Sequence, residues 1–280
     1  MDGLRAGEFT LSDNGRPQRI EVDYSETLAP ISLVVAVQTS DIAAPVIAKF
    51  TKAGSLIQPL ITGQGGEAAL VTFDDEVRVA QDFTSDPSAI ADAFRAVKAG
   101  GSRAGHTIDA LTESIRMLAA RPGNRRRVVV IVCESRDRGS RADLWETLDS
   151  AQRAGIAVYP ATFSAQKSAW TVKAGELPPT AGGGLIPVFV ELSRLGKKNA
   201  ADAMSLATGG EHLSFSTLRG FERLIAGVGE ELHSQYLLSF TQPASDGAYH
   251  EVQVQIPNHP EFVVRCRPGY WANSAGATIN

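Results

Sequence analysis

The sequence predicts an α/β protein whose main domain is Rossmann-like: a central, mostly parallel sheet with one antiparallel edge strand and helices on both faces. A small β layer is expected from the two ends of the chain. Between Pro30 and Ser234, short apolar runs rich in β-branched residues alternate with segments whose apolar residues recur at helical spacing. Towards both ends, polar and apolar residues alternate around turn sequences such as Asp13-Asn14-Gly15. The predicted division is an α/β domain at 30–235, terminal strands of an accessory β subdomain at 1–29 and 236–272, and a tail at 273–280.

Apolar runs predict the strands of the central sheet, because strands of a parallel sheet are buried on both faces. Four such runs lie at 31–37, 68–73, 127–133 and 156–159. The segment 77–80 alternates after the turn Asp74-Asp75, which is typical of an antiparallel edge strand. A short strand is predicted at 211–215, after Gly209-Gly210.

The segments between these strands predict helices. They lie at 44–60, 86–97, 107–120, 140–154, 189–208 and 217–234. Asp86 followed by Pro87 is a typical helix start, Ser140 is a candidate N-cap, and Gly155 is a candidate helix end. The stretch 163–186 lacks a regular pattern, and a stretch of this length is usually functional or mobile.

The ends of the chain predict five short strands. They lie at 8–11, 18–22, 236–241, 249–256 and 262–267. These strands cannot join the parallel sheet easily, so we expect them to pair with each other.

Composition excludes several classes of protein. The 280 residues are 43% hydrophobic and 21% charged, which is ordinary globular usage. A net charge of −4 gives no reason to expect nucleic-acid binding. No apolar run reaches the roughly 18 residues of a membrane span, so no membrane insertion is predicted. The chain opens without a signal-peptide pattern, which leaves an intracellular protein and one whose leader has been removed as alternatives.

Cysteine and histidine content gives no metal-site pattern. The two cysteines, Cys133 and Cys266, are too few for a disulfide framework or a zinc site. Cys133 ends an apolar run and is predicted to be a buried thiol. The five histidines lack metal-ligand spacing, and His106 is best interpreted as a polar residue at a helix start.

Polar residues follow two core strands where each strand ends. Gln38-Thr39-Ser40-Asp41 follow the first strand, and Glu134-Ser135-Arg136-Asp137 follow the third. A glycine-rich loop ending in Gly105-His106 enters a helix at the same edge. Ligands of open parallel sheets bind at the carboxyl ends of the strands. These three loops are therefore the candidate site, and Trp170 in the irregular stretch is either an interface anchor beside it or a residue that pins its own loop.

Several segments together resemble the von Willebrand factor A (VWA) domain, in particular the bacterial VWFA-related type found in Acidobacteria. The matching segments are 34–40, 69–78, 100–101 with 108–111, 126–132 and 151–159, together with 9–20 and 265–270 at the two ends. The resemblance implies a protein-binding or adhesion module. It also implies an exported protein, periplasmic or extracellular.

The resemblance further implies a metal-ion-dependent adhesion site. In the family, Asp-x-Ser-x-Ser, a loop Thr and a later Asp hold a divalent cation that a carboxylate of the partner completes. Here Gln38 stands in place of the first Asp, Ser40 is retained, and Ile42 replaces the second Ser. Counting back from Asp109 places Gly105 at the Thr position, with Thr107 or Ser102 as alternatives, and Glu134 takes the place of the last Asp.

This donor set predicts no metal. Mg²⁺ requires near-octahedral oxygen ligands and usually one or two carboxylates. The chain offers one carboxylate and one certain hydroxyl. If Mg²⁺ or Mn²⁺ did bind, Ser40, Asp41 and Glu134 would be the ligands, although Asp41 could instead cap the next helix.

Two arginine groups flank the strand at 127–133 and are predicted to lie at opposite ends of the sheet. The first, at 121–127, is interpreted as a solvated turn. The second, Arg136, Arg138 and Arg141, borders the candidate site, as a soluble rim or as a surface for an acidic partner.

The prediction for function is a non-enzymatic module that binds an unknown protein partner without a metal or another cofactor. One alternative is a metal-dependent adhesion domain with atypical ligands. Another is a hydrolase or nucleotide-binding enzyme on the same scaffold, although neither a Gly-x-Ser-x-Gly motif nor a phosphate-binding loop is found.

Overall fold

A computed structural model describes residues 4–24, 29–47, 65–163, 199–242 and 246–272. In chain order the strands are β1 (Thr10–Asp13), β2 (Arg16–Pro17), β3 (Ile20–Tyr24), β4 (Ile31–Gln38), β5 (Glu67–Phe73), β6 (Val77–Thr84), β7 (Arg126–Cys133), β8 (Ile156–Phe163), β9 (Leu213–Phe215), β10 (Tyr236–Phe240), β11 (Tyr249–Gln255) and β12 (Gly269–Trp271). The α-helices are α1 (Ala44–Ile47), α2 (Pro87–Ala96), α3 (Thr107–Ala119), α4 (Leu144–Arg153), α5 (Ala200–Thr208) and α6 (Leu218–His233). Short 3₁₀ turns lie at Ala6–Glu8 and Asp41–Ala43.

The central sheet has six strands in the order β6-β5-β4-β7-β8-β9. All neighbouring strands are parallel except β6, which runs antiparallel at the edge beside β5. Every residue of β4 is buried, as expected for a strand covered on both faces. The predicted fold class is confirmed, including the antiparallel edge.

The side chains of β4 alternate between two cores. Leu33 and Val35 face one core, which includes residues of α2 and α6, while Val34 and Ala36 face the other, with residues of α3, α4 and α5. Helices therefore cover both faces of the sheet. None of the helices in the described residues is long and apolar enough to cross a membrane.

The two ends of the chain pair with each other. One antiparallel sheet has the order β12-β11-β1-β2, and a second consists of β10 and β3. In the first sheet, Asp13 Oδ1 lies 2.8 Å from His250 Nδ1, and the Tyr270 hydroxyl donates to Asp13 Oδ2 at 3.0 Å. These contacts join β1, β11 and β12, although they lie far apart in the chain.

The predicted strand at 262–267 is wrong. The last strand is β12, which pairs with β11, and the chain before it turns through hydrogen bonds from His259 N to Ile256 O and from Phe262 N to His259 O. Arg265 in this segment forms ion pairs with Glu211 and Glu231. The Arg265 side chain therefore connects this segment to α6 and to the loop before β9, and the backbone of the segment does not join a sheet.

Helix ends follow the predicted caps in part. Asp86 caps α2 by accepting from Ser88 N, and Gly155, with φ of 63°, follows α4 as predicted. Ser140 does not cap α4, because that helix begins after Asp143, whose carboxylate accepts from Trp145 N and Glu146 N. The part of the predicted helix 44–60 after residue 47, the stretch 164–186 and the start of the predicted helix 189–208 lie outside the described residues.

The first arginine group is not a solvated turn, so that interpretation is wrong. Arg121 holds Glu67 in a bidentate pair with bonds of 2.8 and 2.7 Å. Arg126 donates to the carbonyl of Leu232, and Arg127 donates to the carbonyl of Ala154 at 2.9 Å. These carbonyls lie at the ends of α6 and α4, where backbone acceptors lack partners within the helix. The guanidinium groups therefore connect the ends of two helices to the start of β7.

Candidate functional site

Three loops meet at the carboxyl edge of the sheet. The first loop is residues 38–41, the second is 100–106 and the third is 134–141. The first and second are joined by hydrogen bonds from Gly100 N to Thr39 O (2.6 Å) and from Asp41 N to Ser102 O (2.8 Å). The second and third are joined by a two-way backbone bridge between Gly105 and Arg138, with bonds of 3.2 and 3.0 Å. The structure thus brings the three predicted loops into one surface whose backbone is held by hydrogen bonds.

The Gln38 side chain lies at the centre of this surface and is only 1% exposed. Its amide nitrogen donates to Ser40 Oγ at 2.7 Å and to Glu134 Oε1 at 3.2 Å. Its amide oxygen accepts from the backbone nitrogen of Glu134 at 2.8 Å. Because a backbone N–H can only donate, this last bond fixes the orientation of the amide. The Gln38 amide therefore cross-links the ends of β4 and β7.

Gly105 lies directly against this amide. A Cβ atom at position 105 would stand 2.5 Å from Gln38 Nε2 and 3.1 Å from Gln38 Cδ. Any side chain at 105 would require the Gln38 amide to move. The glutamine at position 38 and the glycine at position 105 therefore fit each other.

The guanidinium of Arg138 forms an ion pair with the carboxylate of Glu134. Arg138 Nε lies 2.8 Å from Glu134 Oε1, and the Arg138 side chain is 48% exposed while that of Glu134 is 9% exposed. The carboxylate is thus held between a buried amide and a half-exposed guanidinium. Arg138 belongs to the rim predicted from the sequence, but its ion pair with Glu134 was not predicted, and the spacing of four residues between them was the available signal.

The rest of the third loop holds the start of α3. Ser140 Oγ accepts from Ile108 N at 3.0 Å and donates to Asp137 Oδ1 at 2.6 Å. The Asp109 carboxylate in turn accepts from Arg141 N and Ala142 N. The N-terminus of α3 is therefore capped by the third loop, which fixes the distance between the second and third loops.

The other predicted site residues lie around this centre. Thr39 is buried, and its Oγ1 donates to Phe73 O at 3.1 Å. Asp41 is exposed, with its carboxylate 3.7 Å from Arg103 Nε. His106 occupies the N-cap position of α3, as interpreted from the sequence, and lies 3.5 Å from Asp109. Ser135 and Arg136 are exposed on the third loop.

The two alternative hydroxyls make local bonds. Thr107 Oγ1 donates to Gly105 O at 3.3 Å, and Ser102 Oγ accepts from Ala104 N at 3.1 Å. Ile42, at the position of the second family serine, is 38% exposed. Trp170 lies outside the described residues, so its two interpretations both stay predictions.

Cys133 ends β7 directly behind Glu134. It is buried, as predicted, and burial raises the pKa of its thiol to about 12, with the neighbouring Glu134 and Asp137 adding to the effect. At neutral pH the thiol is therefore protonated and a poor nucleophile or metal ligand. Across the described ranges, no group of three or more His, Cys, Asp and Glu residues is arranged to hold a metal ion.

The comparisons with known proteins agree with this architecture. The sequence profile of the von Willebrand factor type A domain matches residues 33–136, which confirms the resemblance over that segment. No curated protein matches the chain.

Two solved structures share the fold at low sequence identity. The von Willebrand factor type A protein from Catenulispora acidiphila is 13% identical with a TM-score of 0.52, and 80% of this chain aligns with 50% of that one. Proximal thread matrix protein 1 from the mussel byssus is 12% identical with a TM-score of 0.53, and 79% of this chain aligns with 50% of that one. This chain thus spans about half the length of each protein, and at such identities the likeness shows the fold alone.

Proposed function

We propose that this chain is a non-enzymatic, protein-binding VWA module whose contact surface is the carboxyl edge formed by the three loops, and that it binds its partner without a bridging metal. One observation carries the proposal: the Gln38 amide donates to both Ser40 and Glu134, the two oxygen-bearing side chains that the family resemblance assigns to the metal. An N–H group directed at these oxygens presents positive charge to any incoming cation.

The donor chemistry of the site does not fit Mg²⁺. Glu134 is its one buried carboxylate, and the charge of Glu134 is already balanced by Arg138. Gly105 offers no hydroxyl, and Asp41 faces Arg103. A divalent cation would have to displace both the amide and the guanidinium and would still lack ligands, which Mg²⁺ tolerates poorly.

A role in protein binding is supported by how the exposed rim is built. Arg103 is 91% exposed, and Arg136 is exposed on the third loop. These side chains project from loops held to a rigid sheet, where binding residues of α/β proteins are commonly found. Arginine is also enriched at protein interfaces. An exported location stays a prediction from the family resemblance.

Titration of the protein with a divalent cation tests whether the site binds a metal. Adding Mg²⁺ or Mn²⁺ in the millimolar range to the wild-type protein should produce no binding heat in calorimetry and no shift of the melting temperature. A micromolar affinity that disappears in Glu134→Ala would contradict the proposal. Pretreatment with EDTA controls for metal carried through purification.

The contact surface can be tested by comparing two charge reversals. Arg136→Glu changes the exposed rim, while Arg16→Glu makes the same change on β2 of the terminal sheet. Among the residues that the structure describes, neither arginine side chain forms a hydrogen bond or an ion pair. In affinity capture from the native source, we expect Arg136→Glu to lose the proteins that wild type and Arg16→Glu retain. Equal capture by all three would show that the rim is not the binding surface.

One arrangement bears on the hydrolase alternative. Thr162 Oγ1 lies 2.8 Å from His212 Nε2, and His212 Nδ1 contacts the Asp202 carboxylate, in the order of a nucleophile, a base and an orienting acid. However, Thr162 is only 5% exposed and lies within β8, paired with both β7 and β9. A substrate could therefore hardly reach this hydroxyl. We propose instead that the three residues have a structural role and connect α5 and the loop before β9 to the sheet.

A further inference from the structure

A cavity of about 550 Å³ lies between the start of β8 and the terminal strands. It is at the opposite end of β8 from the three loops, so nothing about it depends on the proposed function. Its apolar lining comes mainly from β10, β11 and the segment before β12, and includes Leu237, Leu238, Phe240, Val252, Val254 and Phe262. Small-molecule sites in proteins have volumes of about 300–1,000 Å³ and mostly apolar walls.

The apolar lining is incompletely covered. All five residues of β10 are half-buried, and Val252 and Val254 on β11 are half-buried as well. Val263, in the segment that borders the cavity, is 64% exposed. Covering apolar surface is favourable by about 25 cal/mol per Å². An apolar molecule that fills the cavity and covers these side chains would therefore gain a favourable binding free energy.

Two arginines with different surroundings line the same cavity. Arg265 is neutralised, since its guanidinium lies 2.8 Å from Glu211 and 2.6 Å from Glu231. Arg267 has no such partner: within the described ranges, no carboxylate forms an ion pair with it. Arg267 is half-buried, and burial lowers its pKa, as expected for a cation without an ion-pair partner among the described residues. A buried unpaired charge is costly, and an anion reaching it from the cavity would remove that cost.

We propose that this cavity is a binding site for a free carboxylic acid with an apolar chain, whose carboxylate pairs with Arg267 and whose chain lies against β10 and β11. The planar guanidinium matches a carboxylate with two parallel hydrogen bonds. The apolar walls favour a ligand with an apolar chain. The charge of Arg267 favours an acid over a neutral or cationic amphiphile.

The proposal is tested with the full chain in calorimetry and thermal shift. The probes are decanoate and decyltrimethylammonium, each below its micelle concentration, and decan-1-ol, below its solubility limit. We expect decanoate to bind most tightly and to raise the melting temperature. Arg267→Met keeps the length of the side chain and removes its charge, so it should weaken decanoate by about tenfold, the scale of one lost charge-assisted contact, and leave decan-1-ol unchanged. Arg136→Met, at the other end of the molecule, is the matched control and should bind decanoate like wild type.

The folding of the Arg267→Met variant is checked independently. Removing an unpaired, partly buried cation should leave the melting temperature of the free protein equal to that of wild type or above it. The proposal is overturned if decanoate produces no heat, if decan-1-ol binds as tightly as decanoate, or if Arg267→Met and Arg136→Met bind decanoate equally.

Discussion

The triple variant Gln38→Asp, Ile42→Ser and Gly105→Thr is expected to bind Mg²⁺ with micromolar affinity, whereas we expect no binding by the wild-type protein. The first change replaces the amide that points at Ser40 and Glu134 with a carboxylate. The other two supply the hydroxyls that the family resemblance places around the cation. With Glu134 and Ser40 retained, the site would contain two carboxylates and three hydroxyls, a set of oxygen ligands suited to Mg²⁺.

The gain of binding would be measured by calorimetry and by the rise in melting temperature with added Mg²⁺. Gln38→Asp alone is the key control, because it places a second carboxylate beside Glu134 but supplies neither hydroxyl. We expect it to bind Mg²⁺ much more weakly than the triple variant. If the triple variant is folded and still shows no response to Mg²⁺ or Mn²⁺, then these three residues do not determine whether the site binds a metal.

Gln38→Met is expected to lower the free energy of unfolding by about 3 kcal/mol. Methionine preserves the length of the side chain but removes three hydrogen bonds, all within a buried cluster. The backbone N–H of Glu134 then loses its acceptor and the Glu134 carboxylate loses one donor, and leaving buried polar groups unsatisfied costs about 1–3 kcal/mol each. Urea unfolding measures the loss. Gln253→Met, an exposed glutamine on β11, is the control and should change stability by less than about 0.5 kcal/mol.

The contact between Gly105 and Gln38 provides a second measurement of the same cluster. Gly105→Ala pushes the amide out of place in the wild-type background, but should cost far less once Gln38 has been replaced by alanine. A double-mutant cycle should therefore give a coupling energy above about 1 kcal/mol. Additive effects, together with a Gln38→Met variant as stable as wild type, would mean that the amide contributes little to the stability of this edge.

The fold was predictable because the spacing of apolar residues along the sequence indicates which segments form strands and which form helices. The apolar run of β4 predicts a strand buried on both faces, and every residue of β4 is buried. The prediction of β6 as the edge strand is also confirmed, and its residues are exposed or half-buried. Contacts made by long polar side chains were not predictable in the same way. Arg126 and Arg127 suggested solvent exposure, yet they reach carbonyls of Leu232 and Ala154 that lie far from them in the chain. The segment 262–267 has the alternation of a strand, but the ion pairs of Arg265 hold it elsewhere.

In the candidate site, too, the position of the loops was predictable from the sequence and the side-chain contacts were not. The meeting of the three loops follows from topology, since carboxyl ends of parallel strands share one edge. The family resemblance also implies that Gln38 stands where the family has Asp. It does not show what the amide does, because its partner Glu134 lies 96 residues away along the chain. Whether a missing ligand leaves a gap or is replaced by a new cross-link depends on side-chain geometry, which only the structure provides.

The fit between Gln38 and Gly105 limits the order in which a metal site could be introduced at this edge. Substituting Gly105 first drives a side chain into the amide, 2.5 Å from where its Cβ would lie. Substituting Gln38 by Asp first sets two carboxylates against each other with no cation between them. We expect either of these two changes, made alone, to destabilise the edge, so positions 38 and 105 would have to change together. The packing of one amide against one glycine therefore makes the residues acceptable at positions 38 and 105 depend on each other.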